Sequence, residues 1–352
     1  MTRLDLCDTK TWLAGLRDDV GQFMDRLQVL GEIGRFRPSL KGACGTGEKA
    51  TLSFSCFGVK IYYTLGLWDT LPPEDQMQWV EFLRNFQILD KSHPHHSSFT
   101  DHNLLAGIAA APDMGMKWYI KAWLRGEKQR DPRVDAINGE TKQTIATLAQ
   151  VGASPFEPFY RFPTTKKELI KWLKKQNWSN PWSAGAQTAG MAVFLRSQGP
   201  LLETVDEEEL ICQTGHFIET MVDSQSGCYY QGDRPERGRL INGAMKVLNA
   251  LDWLEIPIHH PEKLIDTCLE QGPPAAGCHV VDWLYVVHRC FLQTNHRLKE
   301  AQTQCLKIIK MIRTHQCTDL GFSYEPHKAQ SSYYGATISK GLNEGDIHGT
   351  CL

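Results

Sequence analysis

The sequence predicts an all-α protein, an α/α toroid of six to seven helix-pair repeats of about 45 residues. Three observations predict it. Glutamines at 87, 129, 176, 225, 271 and 316 divide most of the chain into steps of 42 to 49 residues. Each closes a similar phrase (FLRNFQ, WLRGEKQ, WLKKQ, ETMVDSQ, DTCLEQ, MIRTHQ), and FMDRLQ ending at Gln28 offers a seventh. Between these phrases apolar residues recur at three- and four-residue spacings, the period of a helix with one buried face. Strand patterns are nearly absent, Gly227–Gln231 being too short to count. Units of this size bury their apolar faces only against their neighbours, which makes one continuous core. A single domain over residues 1–352 is expected, with an irregular N-terminal unit, 1–70, and an incomplete C-terminal one.

Each repeat reads as two helices. The first leads into the glutamine: Met77–Gln87, Met116–Glu127, Lys166–Gln176, Glu207–Ser224, Pro261–Gln271 and Lys299–His315. Leu210, Phe217 and Met221, or Cys305, Ile308 and Ile312, mark their buried faces, and Pro261 suits a first helical position. The second helices are Asn103–Ala111, Thr141–Val151, Ser183–Ser197, Leu240–Leu254 and Asp282–Gln293. They are rich in small residues, such as Ala184, Gly185, Ala189 and Gly190 or Gly243, Ala244 and Ala250, which allow backbones to approach closely. Near the C-terminus Asp346–Thr350 reads as the start of another inner helix. Either Tyr333–Leu342 supplies the closing helix or the chain is a truncated form.

A net charge of −2 gives no general electrostatic case for nucleic acid or anionic membrane. Lys166, Lys167, Lys174 and Lys175 read as a solvated helix face. Eleven cysteines, odd in number and without a CxxC pair, fit reduced thiols of a cytoplasmic protein better than a disulfide framework. The opening MTRLDLCDTKTW lacks the apolar core of a signal peptide, and no stretch reaches the roughly 20 apolar residues of a membrane span. P-loop, Rossmann, HExxH and GxSxG motifs are absent, so no cofactor is expected.

A glutamine followed by a glycine and an aromatic residue, as in Gln225-Ser226-Gly227-Cys228-Tyr229 and Gln316 through Gly321-Phe322, resembles the repeat of the squalene cyclase and protein prenyltransferase superfamily. Gln176-Asn177-Trp178 is a partial copy, and Gln87 to Phe99 a stretched one. The likeness spans roughly residues 75–325 and concerns the repeat alone. It implies a toroid in which the glutamine ties helix ends together while the aromatic ring packs on the turn. The DxDD acid motif of squalene–hopene cyclases is missing, and Asp206–Glu209 reads as a helix start. Prenyltransferases hold zinc through Asp, Cys and His. Cys278, His279 and Asp282 lack that spacing, and His93, His95 and His96 have no matching partner at fixed spacing, so no metal is expected.

In a toroid the turns between first and second helices gather at one rim with the inner-helix N-termini, a natural place for a pocket. Candidate catalytic residues there are Asp282, His279, Asp101 and Glu140. His279 and Asp282, three apart, share a helix face and make an acid–base pair. Asp101 and Glu140 are carboxylates near helix starts, where an N-cap or dipole role explains them equally well. Candidate substrate-binding residues are Trp178, Trp182 and Asn180, as an aromatic wall with a polar partner, then Tyr229, Tyr230, Arg239, Asn242, Tyr334 and His348. Three functions fit. The first is an atypical terpenoid-cyclase-like enzyme, a lyase or isomerase using a general acid in an aromatic-lined cavity. The second is a carbohydrate-active lyase or glycosidase, and the third a non-enzymatic helical scaffold. The expected partner is a small molecule, isoprenoid or saccharide, with no nucleic acid and no integral membrane span.

Overall fold

A computed structural model of the chain describes residues 3–111, 131–274 and 278–352. The expected helix 116–127, Gln129, Gly277 and the Cys278 side chain lie outside the described residues. Within them the protein is all-α, with thirteen α-helices and a single two-stranded hairpin. No helix among them is long and apolar enough to cross a membrane. The described chain forms two compact units, one of residues 1–157 and 314–352, the other of residues 158–313.

The first unit holds α1 (Arg3–Leu27), α2 (Leu52–Thr64), α3 (Pro73–Arg84), α4 (His102–Ala110), α5 (Pro132–Gln150), the hairpin β1 (Ser332–Tyr333) and β2 (Ala336–Thr337), and α13 (Ile347–Cys351). The first 70 residues, expected to be irregular, therefore carry two helices, one of them 25 residues long. Ten of the thirteen residues of α2 are buried, Leu52 through Val59 without interruption. A helix buried on every side must be apolar all round, and LSFSCFGVKIYYT largely is. It packs between α5 and α13.

Residues 333–342 do not form the helix considered for them. Tyr334 and Gly335 both lie in the left-handed region, at φ 48° and 86°, and join Ser332–Tyr333 to Ala336–Thr337 in antiparallel register. Two such residues make the two-residue turn whose twist matches the strands, and glycine at the second position meets that demand without strain. Helix α5 starts at Pro132, well before the expected Thr141. Its signal is Asp131, which caps Arg133 N, followed by proline at the first helical position.

The second unit holds α6 (Lys166–Lys175), α7 (Pro181–Gln198), α8 (Glu207–Glu219), α9 (Arg237–Trp253), α10 (Pro261–Gln271), α11 (Cys278–Phe291) and α12 (Leu298–Ile312). Every helix expected in the repeats between residues 158 and 313 forms, Pro261–Gln271 with the expected ends and the others with shifted ones. Small residues govern the α7–α9 contact. A Cβ on Gly243 would stand 2.6 Å from the Pro181 Cβ, and one on Gly185 would stand 2.8 Å from the Lys246 Cβ. The core around this pair includes Leu195, Leu248, Leu264, Ile265 and Trp283, all fully buried. Each aliphatic chain among them contributes roughly 1.5–3 kcal/mol by leaving water.

The glutamine phrase has a recurring geometry in the first unit. Gln28 pairs with Phe36, Gln87 with Phe99, and Gln316 with Phe322, each as an isolated antiparallel bridge closing the turn after a helix. The Gln87 amide also bonds the backbone of Ser97 and Glu157, and Gln316 accepts from the Trp12 indole at 2.7 Å. In the second unit the same bridge joins Val222 to Tyr229, so Gln225 stands three residues beyond the equivalent position.

Candidate active site

Glu140 sits in the middle of α5, completely enclosed. It therefore cannot serve the helix dipole at a first turn, as its sequence neighbourhood suggested. One oxygen accepts from the Asp101 N–H at 2.9 Å and the other from the Ser53 hydroxyl at 3.2 Å. Burial, the largest influence, pushes its pKa up to about 8. The nearby Asp101 carboxylate adds to the rise, and the hydrogen bonds oppose it. At neutral pH this carboxyl is predominantly protonated.

Asp101 lies beside it with a different task. Its Oδ1 caps α4 by accepting from Asn103 N at 2.9 Å, and its Oδ2 takes Thr51 N at 2.7 Å and Leu52 N at 3.3 Å at the start of α2. Three backbone donors fix this carboxylate, which makes it a clamp between two helix starts and places Glu140 against α2.

The rest of the cluster comes from far along the chain. Tyr333 is within hydrogen-bonding reach of Ser53 and donates to Gln143 Oε1 at 3.4 Å. Its hydroxyl in turn meets that of Tyr334, a residue 38% exposed. Burial raises both phenols, Tyr334 to about 12, with the charges of Glu140 and Asp135 contributing. The result is a file of oxygens, Glu140, Ser53, Tyr333 and Tyr334, running from a buried acid to a partly exposed tyrosine. The Tyr334 hydroxyl rests directly on Gly139, where any Cβ would overlap it.

Aromatic rings surround this file. Tyr333 packs against Phe54 and Phe57, with centroids 6.2 Å away in both cases. His348, on α13, stacks on Phe57 at 4.5 Å and meets Tyr333 edge-on at 6.1 Å. Its Nδ1 lies 2.9 Å from Gln330 Oε1. Burial lowers its pKa to about 4, helped by the Lys60 charge, so it is a neutral ring at neutral pH. Asp346 caps α13 through Gly349 N and accepts from Tyr324 N and Gln330 N, holding His348 in place.

The chain matches no protein-family model, no curated protein and no solved structure.

The second unit gathers a smaller group. Asp282 lies buried in the second turn of α11, which starts four residues before the helix expected from Asp282. The Asn242 amide bridges it to His279: oxygen toward His279 Nδ1 at 2.5 Å, nitrogen donating to Asp282 Oδ2 and Gly238 O, both at 3.2 Å. Burial raises Asp282 to about 6, opposed by the charges of Lys246 and His279. The shared face expected for His279 and Asp282 is therefore present, with Asn242 as the link. Lys246 also stands 6.0 Å over the ring of Trp182, which is half exposed.

The other expected binding residues do not join either group. Trp178 was expected to form one wall with Trp182. Instead it is buried, its indole N–H donating to Leu173 O at 3.0 Å and its ring packing on Phe217. Tyr229 is likewise enclosed, its hydroxyl 3.2 Å from His259 Nδ1. Asn180 caps α7 through Ser183 N at 3.4 Å. Tyr230 is half-buried, its phenol raised by burial and by Asp223, and Arg239 is exposed at the start of α9. Of the thirteen candidates, Glu140, Asp101, Tyr334 and His348 meet in one unit, and Asp282, His279 and Asn242 in the other. Sequence reasoning missed Ser53, Phe57 and Tyr333. No local pattern in LSFSCF singles out Ser53, since Ser55 in the same run is equally buried and its hydroxyl has no hydrogen-bond partner.

Proposed function

We propose that this protein is an acid–base enzyme of the lyase or isomerase kind, related in chemistry to terpenoid cyclases, with Glu140 holding the transferable proton. The observation that carries the reading is a buried carboxyl with its pKa near 8, joined through Ser53 and Tyr333 to the partly exposed Tyr334. A general acid works best when its pKa lies close to the operating pH. At pH 7 Glu140, its pKa raised to about 8 by burial, is mainly protonated, whereas Asp282, near 6, is mainly ionised. Glu140 is therefore the acid of the first unit, and Asp282 with His279 forms a separate group in the second.

A carboxyl held near neutrality favours reversible proton transfer at an allylic or carbonyl-activated carbon. Protonating an isolated alkene calls for a stronger acid. Phe54, Phe57, Tyr333, Tyr334 and neutral His348 offer π-faces and apolar edges to a small unsaturated substrate of isoprenoid character, and their faces stabilise developing positive charge. The repeat and the close α7–α9 contact support the α/α toroid as the arrangement of the helix pairs. A saccharide site would draw its stacking rings from Trp178, Trp182, Tyr229 and Tyr230, and the burial of Trp178 and Tyr229 removes two of them.

The test is solvent-deuterium exchange. Isoprenoid alcohols, aldehydes and diphosphates incubated with the protein in heavy water should gain deuterium at one carbon. Glu140→Gln should lose the activity and Tyr334→Phe should reduce it by about 10²-fold, the usual worth of a positioned proton donor. Exchange that persists unchanged in Glu140→Gln would remove Glu140 from the chemistry.

A further inference from the structure

The second unit carries a nucleophile–base pair that the proposed chemistry does not use. Among the cysteines whose side chains are described, Cys212 is the exposed one. Burial holds the others that shift as thiols, with Cys56 pushed up to about 11 and Cys228 and Cys290 to about 12. Cys212 and His216 lie one turn apart on α8, with Sγ 3.8 Å from the imidazole Nδ1. Nucleophile and base in such reach are the working parts of an activated thiol.

The pair opens into a groove of about 360 Å³ between α8 and the segment Ile256–His259. Ile211, Ile256, Pro257 and Ile258 make its walls apolar, and Glu219 adds a carboxylate at its edge. His259 also faces it, with Nδ1 engaged by the Tyr229 hydroxyl and its pKa lowered by burial, so it presents a neutral ring. Apolar walls beside a carboxylate favour an uncharged, apolar reagent over an anionic thiol or disulfide.

We propose that Cys212 is a covalent modification site for apolar α,β-unsaturated carbonyl compounds, with His216 as its base. His216 Nδ1 takes the Sγ proton and the thiolate forms a bond to the β-carbon. The alkene π pair moves to the α-carbon, which receives the proton back from His216. All atoms of both reactants stay in the adduct, and no oxidant or leaving group takes part. This site stands independently of Glu140.

Full-length protein treated with trans-2-nonenal at neutral pH, followed by intact mass and peptide mapping, tests it. The expected result is one adduct, at Cys212, absent in Cys212→Ser. In His216→Ala, with helix content checked by circular dichroism, adduct formation should slow by about 10-fold or more. The rate ratio of nonenal to acrolein should exceed that of free N-acetylcysteine, because only the groove rewards the longer chain. Labelling spread evenly over several cysteines, an unchanged rate in His216→Ala, or a ratio equal to that of the free thiol would each overturn the proposal.

Discussion

A carboxyl group in the middle of a buried helix has no helix end to serve, so Glu140 has to be explained by what it touches. Its two oxygens have donors, yet burial still holds it as an acid, and this fixes the sign of its effect on stability. Between about pH 4.5 and about 8 the folded chain binds a proton there that the unfolded chain has released. Stability therefore declines as pH rises across that window, by up to about 1.4 kcal/mol per pH unit. His348 acts with the opposite sign. Its folded pKa is depressed to about 4, so its contribution rises with pH up to about 6.5 and offsets Glu140 below that point. Urea denaturation should accordingly show a loss of stability from pH 6.5 to 8.5 in the wild type that is absent in Glu140→Gln. A second residue-scale prediction concerns Gly139. Alanine there must displace the Tyr334 hydroxyl, so Gly139→Ala should reduce the proposed exchange activity while leaving the helix content unchanged, as read by deuterium incorporation and circular dichroism.

At the scale of elements, Asp101 is worth more than an ordinary cap, because its carboxylate serves the first turns of both α4 and α2. Asp101→Ala should cost roughly 2–4 kcal/mol in denaturation, more than the ~1 kcal/mol of a single cap. The α7–α9 contact makes a second prediction. Gly243→Ala forces a methyl into the Pro181 ring and should destabilise by about 1–3 kcal/mol, whereas alanine at the open Gly238 should be neutral or stabilise by a few tenths of a kcal/mol. Helix existence was legible because apolar spacing survives in every described repeat. Helix starts were less so. The cap and proline at Asp131-Pro132 lie in a polar stretch ahead of the apolar run, and reading the run alone placed the start of α5 too late. That error disguised Glu140 as a residue of the first turn. The hairpin at 332–337 was missed because Tyr-Tyr-Gly-Ala carries only one of the glycines that announce a tight turn, Tyr334 taking the other left-handed position itself.

For the molecule as a whole, the repeat was the most legible property, and in the first unit its glutamines at 28, 87 and 316 recur in one geometry. The site was legible only in part. Asp101, Glu140, Tyr334 and His348 stood out one by one as polar or titratable residues, but their convergence depends on Ser53 and Tyr333, which are separated by most of the chain and have no local pattern. Residues 158–313 form a continuous unit with a core of their own, so this segment expressed alone should unfold cooperatively in urea. The proposed chemistry depends on the protonation state of one buried acid. Infrared difference spectroscopy between the wild type and Glu140→Gln, titrated from pH 5 to 10, reads it directly through the carbonyl stretch of a protonated carboxyl. With Glu140 protonated at neutral pH, the band is present at pH 7 and disappears with a midpoint near pH 8. A carboxylate signal already complete at pH 6 would contradict it.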